Sequence, residues 1–346
     1  QRCAWSLPSP VSSELAEDPL EVEDLAVELD QIPATARDPL EDRRSDVAVA
    51  GPDHLVGLVR GVRRRRVQHG LDARHVAEGG LDVGHLQATI KDDRAQGMEP
   101  FALVGTIGTV ATGASDNIAD LADIAEAENL WLHIDGAFGA LAILVPEFST
   151  LFKGINRVQS IAFDFHKWGQ VTYSCGCLLI HDKTLHRQAF TLRESYLAPY
   201  ERGLASADHW FSDYGPELSR GFMALKVWFL LQEHGTLALG AAIKNSCDLA
   251  QVLADKVEEN EALVLLIKPV LNIVCFGVKP LAGEDPGAVT AAIVADLQEV
   301  GIAAPSTVKL GDTLAIRCCL INHRTTLEDI DILMAGVSEM IARRRS

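Results

Sequence analysis

From residue 81 onward the chain alternates short apolar runs with stretches of helical periodicity. Two of those runs end on groups that can do chemistry. Residues 130–134 end at Asp135, and residues 160–163 end just before His166-Lys167. Apolar runs this short, bounded by turn residues, predict buried strands. Strands that alternate with helices predict an α/β sheet. In open α/β sheets the reactive groups gather at the carboxyl ends of the strands, where Asp135 and Lys167 both fall.

The same patterns place the other elements. Helices are expected over 86–95 and 118–127, the second from apolar residues at 118, 121, 122 and 125, with Asp116 as its cap. Strands are expected at 101–104 and 177–180, and a turn of small residues at 106–109. A long helix is expected from Pro216, a residue suited to a first turn, to His234, where Gly235 can end it. Beyond it the pattern is α+β, with helices at 241–257, 286–300 and 326–343 and strands at 263–267, 271–276 and 313–320. The expected division is an atypical segment 1–80, a larger α/β domain 81–234 and a smaller α+β domain 235–346.

The first ninety residues contain no Lys, Asn, Phe, Tyr or Met, and all 11 Phe and 4 Tyr lie from Phe101 onward. With Trp5 as its one aromatic residue, this stretch has little with which to pack a core. Three readings stay open: a flexible acidic arm, a divergent helical segment, or a stretch of a GC-rich gene translated out of frame. The run Arg63-Arg64-Arg65-Arg66 is read as a solvated charge run.

A net charge of −17 argues against nucleic-acid and anionic-membrane partners. Seven scattered cysteines without a C-x-x-C suit reduced thiols in a cytoplasmic protein and argue against a disulfide framework or a zinc site. No apolar run approaches the about 18 residues of a membrane span, and the N-terminus shows no signal-peptide pattern.

Read alone, Lys167 could be a solvated lysine, and Asp135 a helix cap or turn residue. Together they are more specific. A lysine amine bonds to the aldehyde of pyridoxal phosphate (PLP), and a carboxylate facing the pyridine nitrogen keeps the ring able to accept electrons. The segments His133-Ile134-Asp135-Gly136-Ala137-Phe138-Gly139-Ala140 and Phe163-Asp164-Phe165-His166-Lys167-Trp168 resemble the group II PLP-dependent amino acid decarboxylases. That family includes the aromatic-L-amino-acid, histidine and glutamate decarboxylases, and its bacterial aromatic-type branch looks nearest. Val104-Gly105-Thr106-Ile107-Gly108-Thr109, Ser195-Tyr196-Leu197, Glu217-Leu218-Ser219-Arg220-Gly221-Phe222 and Asn272-Ile273-Val274-Cys275-Phe276 extend the resemblance in family order.

The resemblance implies an α/β PLP-transferase of fold type I, aspartate-aminotransferase-like, with a smaller C-terminal domain and a homodimeric assembly. It implies that Lys167 holds the cofactor, Asp135 pairs with the ring nitrogen and Ala137 packs on a ring face. Asp164, His166 and Thr109 would lie beside the cofactor. Tyr196, on a loop rich in small residues, would deliver the proton that replaces CO2 on the substrate, although an ordinary surface-loop tyrosine is the alternative. Arg317 would approach the substrate carboxylate, or else serve a structural salt bridge. The implied reaction is decarboxylation of an L-amino acid, with the amino acid itself not identified. The alternatives are an impaired fragment, or a PLP enzyme of another type such as an aldehyde synthase or aminotransferase. Residues 1–80 show no match to the family's N-terminal dimer segment or phosphate-binding stretch, so the chain as written is expected to bind PLP weakly or not at all. Val110 stands where many aromatic-type relatives carry threonine.

Overall fold

Three short strands run parallel in the first sheet: β1 (Ala102–Thr106), β2 (Trp131–Asp135) and β3 (Ser160–Asp164). β4 (Gly176–Ile180) returns antiparallel along β3, giving the order β1-β2-β3-β4. The computed structural model describes residues 80–191, 201–203, 206 and 210–345, all within the unit formed by residues 61–346. Tyr196 and nearly all of the atypical segment 1–80 lie outside the described residues.

α1 (Val83–Ala95) precedes β1, and α2 (Ile118–Glu128) connects β1 to β2. Asn117, not Asp116, caps α2, accepting the Asp120 N–H; Asn129 ends it in the left-handed conformation (φ 52°). Asp116 has another task. Its carboxylate accepts the N–H of Thr106 at 2.7 Å and of Leu81 at 2.8 Å, tying the end of β1 to the entry of α1. Burial raises its pKa against the pull of those two hydrogen bonds. α2 turns Ile118, Leu121, Ala122, Ile124 and Ala125 into the core. Between β2 and β3 the chain makes successive 3-10 turns over Ala140–Leu144, Pro146–Phe152 and Ile155–Arg157.

After β4 come α3 (Lys183–Phe190) and the long helical stretch α4 (Ala224–Glu259). The helix expected from Pro216 starts instead at Ala224, because Ser219 and Gly221 are poor helix formers and Phe222 finds no core to pack on, being 73% exposed. Gly235 does interrupt the helix (φ 74°, ψ 171°), but helical structure resumes directly after it.

The second sheet is antiparallel, ordered β5-β6-β8-β7, from β5 (Leu263–Ile267), β6 (Ile273–Val278), β7 (Ser306–Leu310) and β8 (Thr313–Cys319). β7 went unpredicted: Ser306, Thr307 and Lys309 are exposed, as suits an edge strand. β6 is buried at every position. Its Ile273 and Cys275 join the core shared with the first sheet, while Val274, Phe276 and Val278 join a second core. That second core is closed by Leu253 and Val257 of α4, Ile293 and Leu297 of α5 (Pro286–Glu299), and Leu333 and Val337 of α6 (Leu327–Arg345).

The six described cysteines are free thiols. Burial pushes Cys177 and Cys275 up to about 11 and Cys247 and Cys318 up to about 12, so they behave as apolar packing groups. No described helix is long and apolar enough to cross a membrane. Phe276 is fully buried in the second core. Phe276→Ala is expected to destabilise the fold by about 3–5 kcal/mol, read as a lowered urea midpoint at unchanged slope.

Candidate active site

The parallel pairing of β2 with β3 sets the site. Asp135, the last residue of β2, lies opposite Ala162, and β3 ends two residues later at Asp164. Neighbouring strands are about 4.8 Å apart. The turns that follow β2 and β3 therefore leave the same edge of the sheet side by side. The turn after β1 joins them: the Ile107 N–H donates to the Asp135 carbonyl at 2.9 Å, and the Gly139 N–H to the Ile107 carbonyl at 3.1 Å.

These turns pack too closely for side chains at two glycines. A Cβ on Gly139 would stand 2.5 Å from the Ile107 carbonyl oxygen, and one on Gly136 would stand 2.6 Å from the Ala140 Cβ. The Asp135 side chain is exposed, and its Oδ1 accepts the Ala137 N–H at 3.0 Å. Ala137, half-buried, follows in the same turn.

Lys167 lies in the turn after β3, its side chain one-third exposed. Its Nζ sits 2.8 Å from Asp164 Oδ2. The same oxygen is 3.8 Å from His166 Nε2. His166 Nδ1 accepts the Cys175 N–H at 3.0 Å, so the proton of the neutral ring is on Nε2, facing Asp164. Tyr173 stacks edge-on against His166, with ring centroids 4.5 Å apart. Trp168 anchors the turn from below. It is buried against Phe138, centroids 5.2 Å apart, and its indole N–H has no hydrogen-bond partner among the described residues. Lys167, Asp164 and His166 are thus brought together, on the sheet edge that also carries Asp135 and Ala137.

Thr109 lies in the turn after β1, its hydroxyl 2.9 Å from that of Thr112. Arg317 of β8 reaches the same turn. Its Nε donates to the carbonyls of Val110 at 2.9 Å and Ala111 at 3.2 Å, and its Nη1 donates to Ser306 Oγ at 3.3 Å. In this structure Arg317 clamps the Thr109 turn to the second sheet through these hydrogen bonds, and it has no ion-pair partner among the described residues. The exposed Val110 side chain leaves its backbone to Arg317.

Sequence reasoning passed over one cluster on the same sheet face. Trp131, His133 and Asp135 alternate along β2 and so share a face. The Trp131 indole N–H donates to Ser160 Oγ at 2.8 Å, and His133 Nδ1 shares a hydrogen bond with that hydroxyl at 2.8 Å. The signal was the period of two itself: His133 stands two residues before Asp135.

The donor set fits pyridoxal phosphate. A lysine amine and an open carboxylate stand on adjoining turns of one sheet edge, on backbones with no space for side chains at Gly136 and Gly139. Comparison with known proteins agrees. Residues 55–279 match the family model of the pyridoxal-dependent decarboxylase conserved domain. The chain belongs to the pyridoxal-dependent decarboxylase family. An aromatic-L-amino-acid decarboxylase of Bacillus atrophaeus is 33% identical over 263 residues, covering 75% of this chain and 55% of that protein. Oryza sativa TDC, solved with PLP and tryptamine, superposes with a TM-score of 0.73 at 23% identity, covering 78% of this chain and 56% of that one. The glutamate decarboxylase domain of a Vibrio parahaemolyticus diaminobutyrate-pyruvate transaminase and L-2,4-diaminobutyrate decarboxylase gives 0.65 at 29%, covering 77% and 51%. The chain thus spans about half the length of these relatives, and its fold is the type I fold of the PLP-dependent decarboxylases. The family match starts at residue 55, not at 81, so residues 55–80 belong to the matched domain.

Burial lowers the His133 pKa, with the Asp135 charge opposing. The unfolded chain therefore takes up this proton at a higher pH than the folded one, and stability falls as pH drops below the ordinary value of 6.5. In His133→Asn the loss of stability between pH 7.5 and 5.5 (about one unit either side of that value) is expected to be smaller than in the parent chain, measured as urea midpoints at both pH values.

Proposed function

We propose that this protein decarboxylates an L-amino acid to its amine and CO2, using PLP, and that it works as a homodimer in the cytoplasm. The observation that carries the reaction is the placement of Asp135 and Lys167 on adjoining turns of one sheet edge in a chain of this family. PLP, when bound, takes up the electron pair that CO2 leaves behind. The chain's own residues do the rest. Lys167 would hold the cofactor through its amine, which must first leave Asp164. Asp135 would face the ring nitrogen as a fixed negative charge. His166, its tautomer set by the Cys175 N–H, offers an Nε2 proton as a donor, and Thr109 a hydroxyl, to an anionic group beside Lys167. Arg317 would act on substrate indirectly, by fixing the backbone of the Thr109 turn. Tyr196 is assigned the proton transfer to the substrate Cα by its family motif.

Incubation with PLP and borohydride should add a reduced pyridoxyl phosphate to the Lys167 peptide and to no peptide of Lys167→Ala. A panel of aromatic and acidic amino acids, scored by CO2 release, would then name the substrate. Tyr196→Phe is expected to turn product formation from amine towards aldehyde and ammonia, an oxidative deamination that consumes O2 and releases H2O2, so O2 uptake should rise with it. Release of amine at the parent rate by this variant would remove Tyr196 from the mechanism.

The homodimer is supported by apolar surface with nothing to cover it among the described residues. Phe211 (93% exposed), Phe222, Trp228 and Phe229 stand open before and along the first half of α4, and Leu178 and Leu179 on β4. Exposed aromatic and aliphatic side chains grouped on neighbouring elements are what a subunit interface would cover. Trp228→Glu with Phe229→Glu is expected to convert a dimer to monomer in sedimentation equilibrium; a parent chain that sediments as a monomer would refute the assembly.

A further inference from the structure

One side chain ties the turn that carries Lys167 to the second sheet. Gln170 stands three residues after Lys167 with a left-handed backbone (φ 55°), a conformation uncommon outside glycine. Its Nε2 donates to the Ile321 carbonyl at 3.1 Å, and its Oε1 meets His323 Nδ1 at 3.1 Å. Only the NH2 end of an amide can face a carbonyl, so the oxygen end faces the histidine. His323 Nδ1 therefore carries a proton and donates it. Both partners lie just past β8, more than 150 residues away in the chain.

The other contacts of this turn are of a different kind. The N–H groups of Lys167, Gln170 and Val171 donate to the carbonyls of Asp164, Lys167 and Phe165. Lys226 of α4 donates to the Thr172 carbonyl at 3.3 Å. A Cβ on Gly169 would come 2.4 Å from the Phe165 carbonyl oxygen, so the turn is wound as tightly as a chain allows. Its backbone bonds close it upon itself; the amide of Gln170 carries it across to the segment after β8.

We propose that Gln170 is a positioning residue, hooked to Ile321 and His323 so that the second sheet sets where the Lys167 amine stands. The hook deepens the assignment of Lys167 to the cofactor and rests on it for its meaning, but its mechanical effect is measurable without cofactor. Freed from the hook, the turn would let the Lys167 ammonium leave Asp164 for solvent more often.

The full chain, without cofactor, is treated with formaldehyde and cyanoborohydride, and methylation of each lysine is followed by peptide mass. Lys244, ion-paired to Asp248 on α4, is the internal reference. Gln170→Ala and His323→Ala are expected to raise the Lys167 rate about three- to tenfold relative to Lys244, the range of one lost hydrogen bond. His323→Asn keeps an N–H donor where Nδ1 sits, and is expected to restore the parent rate. An unchanged Lys167 rate, a parallel rise at both lysines, or His323→Asn behaving as His323→Ala would overturn the proposal. If Gln170→Ala does not fold, as judged by thermal melting, Gln170→Glu replaces it. That variant keeps the acceptor for His323 and loses the donor for Ile321, so its rate should fall between parent and His323→Ala; a rate equal to the parent's counts against the hook. Borohydride trapping of PLP is scored separately. A chain that traps no cofactor refutes the functional assignment, while the methylation ratio still decides the hook.

Discussion

The pairing of Asp135 with Ala162 is the contact on which the chemistry of this chain depends. A parallel ladder fixes both the offset of two strands and the faces their side chains use. A slip of one residue would turn Asp135, His133 and Trp131 into the core and bring the apolar Leu132 and Ile134 out. The burial of Leu132 and Ile134, both fully inside, therefore specifies the register as firmly as the backbone bonds do. The turns that leave this edge inherit their positions from it. A carboxylate and an amine from distant parts of the sequence are brought together by the packing of apolar residues that take no part in the chemistry.

The second sheet is more than a neighbour. β6 is buried on both faces, so one strand belongs to two cores, and the face carrying Cys275 looks toward the turn after β1. The Cys275 thiol donates weakly to the Ala111 carbonyl at 3.5 Å. Arg317, opposite Cys275 on β8, holds the same carbonyl and its neighbour. Gln170 makes a third link, to the segment after β8. The turn of Thr109 and the turn of Lys167 are each held from both sides, by the sheet they leave and by the sheet they meet. Rigidity at these turns is what a site made of separate loops requires, because a misplaced amine or hydroxyl loses its partner even when the strands are intact.

Much of this was legible in the sequence, and the physical reasons differ by element. β2 and β3 announce themselves because their apolar residues are bounded by polar ones, and the residues after them carry the chemistry. β6 reads clearly because it is apolar throughout. β7 is hidden because an edge strand of Ser306, Thr307 and Lys309 has the composition of a loop; only its pairing with β8 makes it a strand. The start of α4 lies later than Pro216, a good first residue for a helix, because the next seven residues are all exposed and give a helix no core to pack on, which periodicity does not encode. Asp116 looked like a cap because it precedes a helix by the right distance. Its carboxylate is used instead by two backbone N–H groups, one of them 35 residues away. Arg317 was legible as an arginine near the site, but not as a clamp on backbone carbonyls, since no spacing rule links residues more than 200 positions apart.

The two halves of α4 differ in how far the described residues cover them. Beyond Gly235 the helix buries Leu239, Ile243, Leu249 and Leu253 against both cores, as an amphipathic helix should. Before Gly235, Trp228 and Phe229 are open, though their apolar area is larger. A helix gains most of its stability from the face it packs, so a first half this apolar is stabilised only when something lies on it. Gly235 separates a half that the described residues complete from a half that they do not. β4 repeats the pattern at the end of the first sheet, with Leu178 and Leu179 exposed on opposite faces of one strand. Among the described residues, the side toward the second sheet is packed, while Tyr173, Leu178, Leu179, Trp228 and Phe229 are exposed. In the proposed homodimer, covering these residues would exclude water, and exclusion of water strengthens the attraction between an amine, a carboxylate and an ionic substrate.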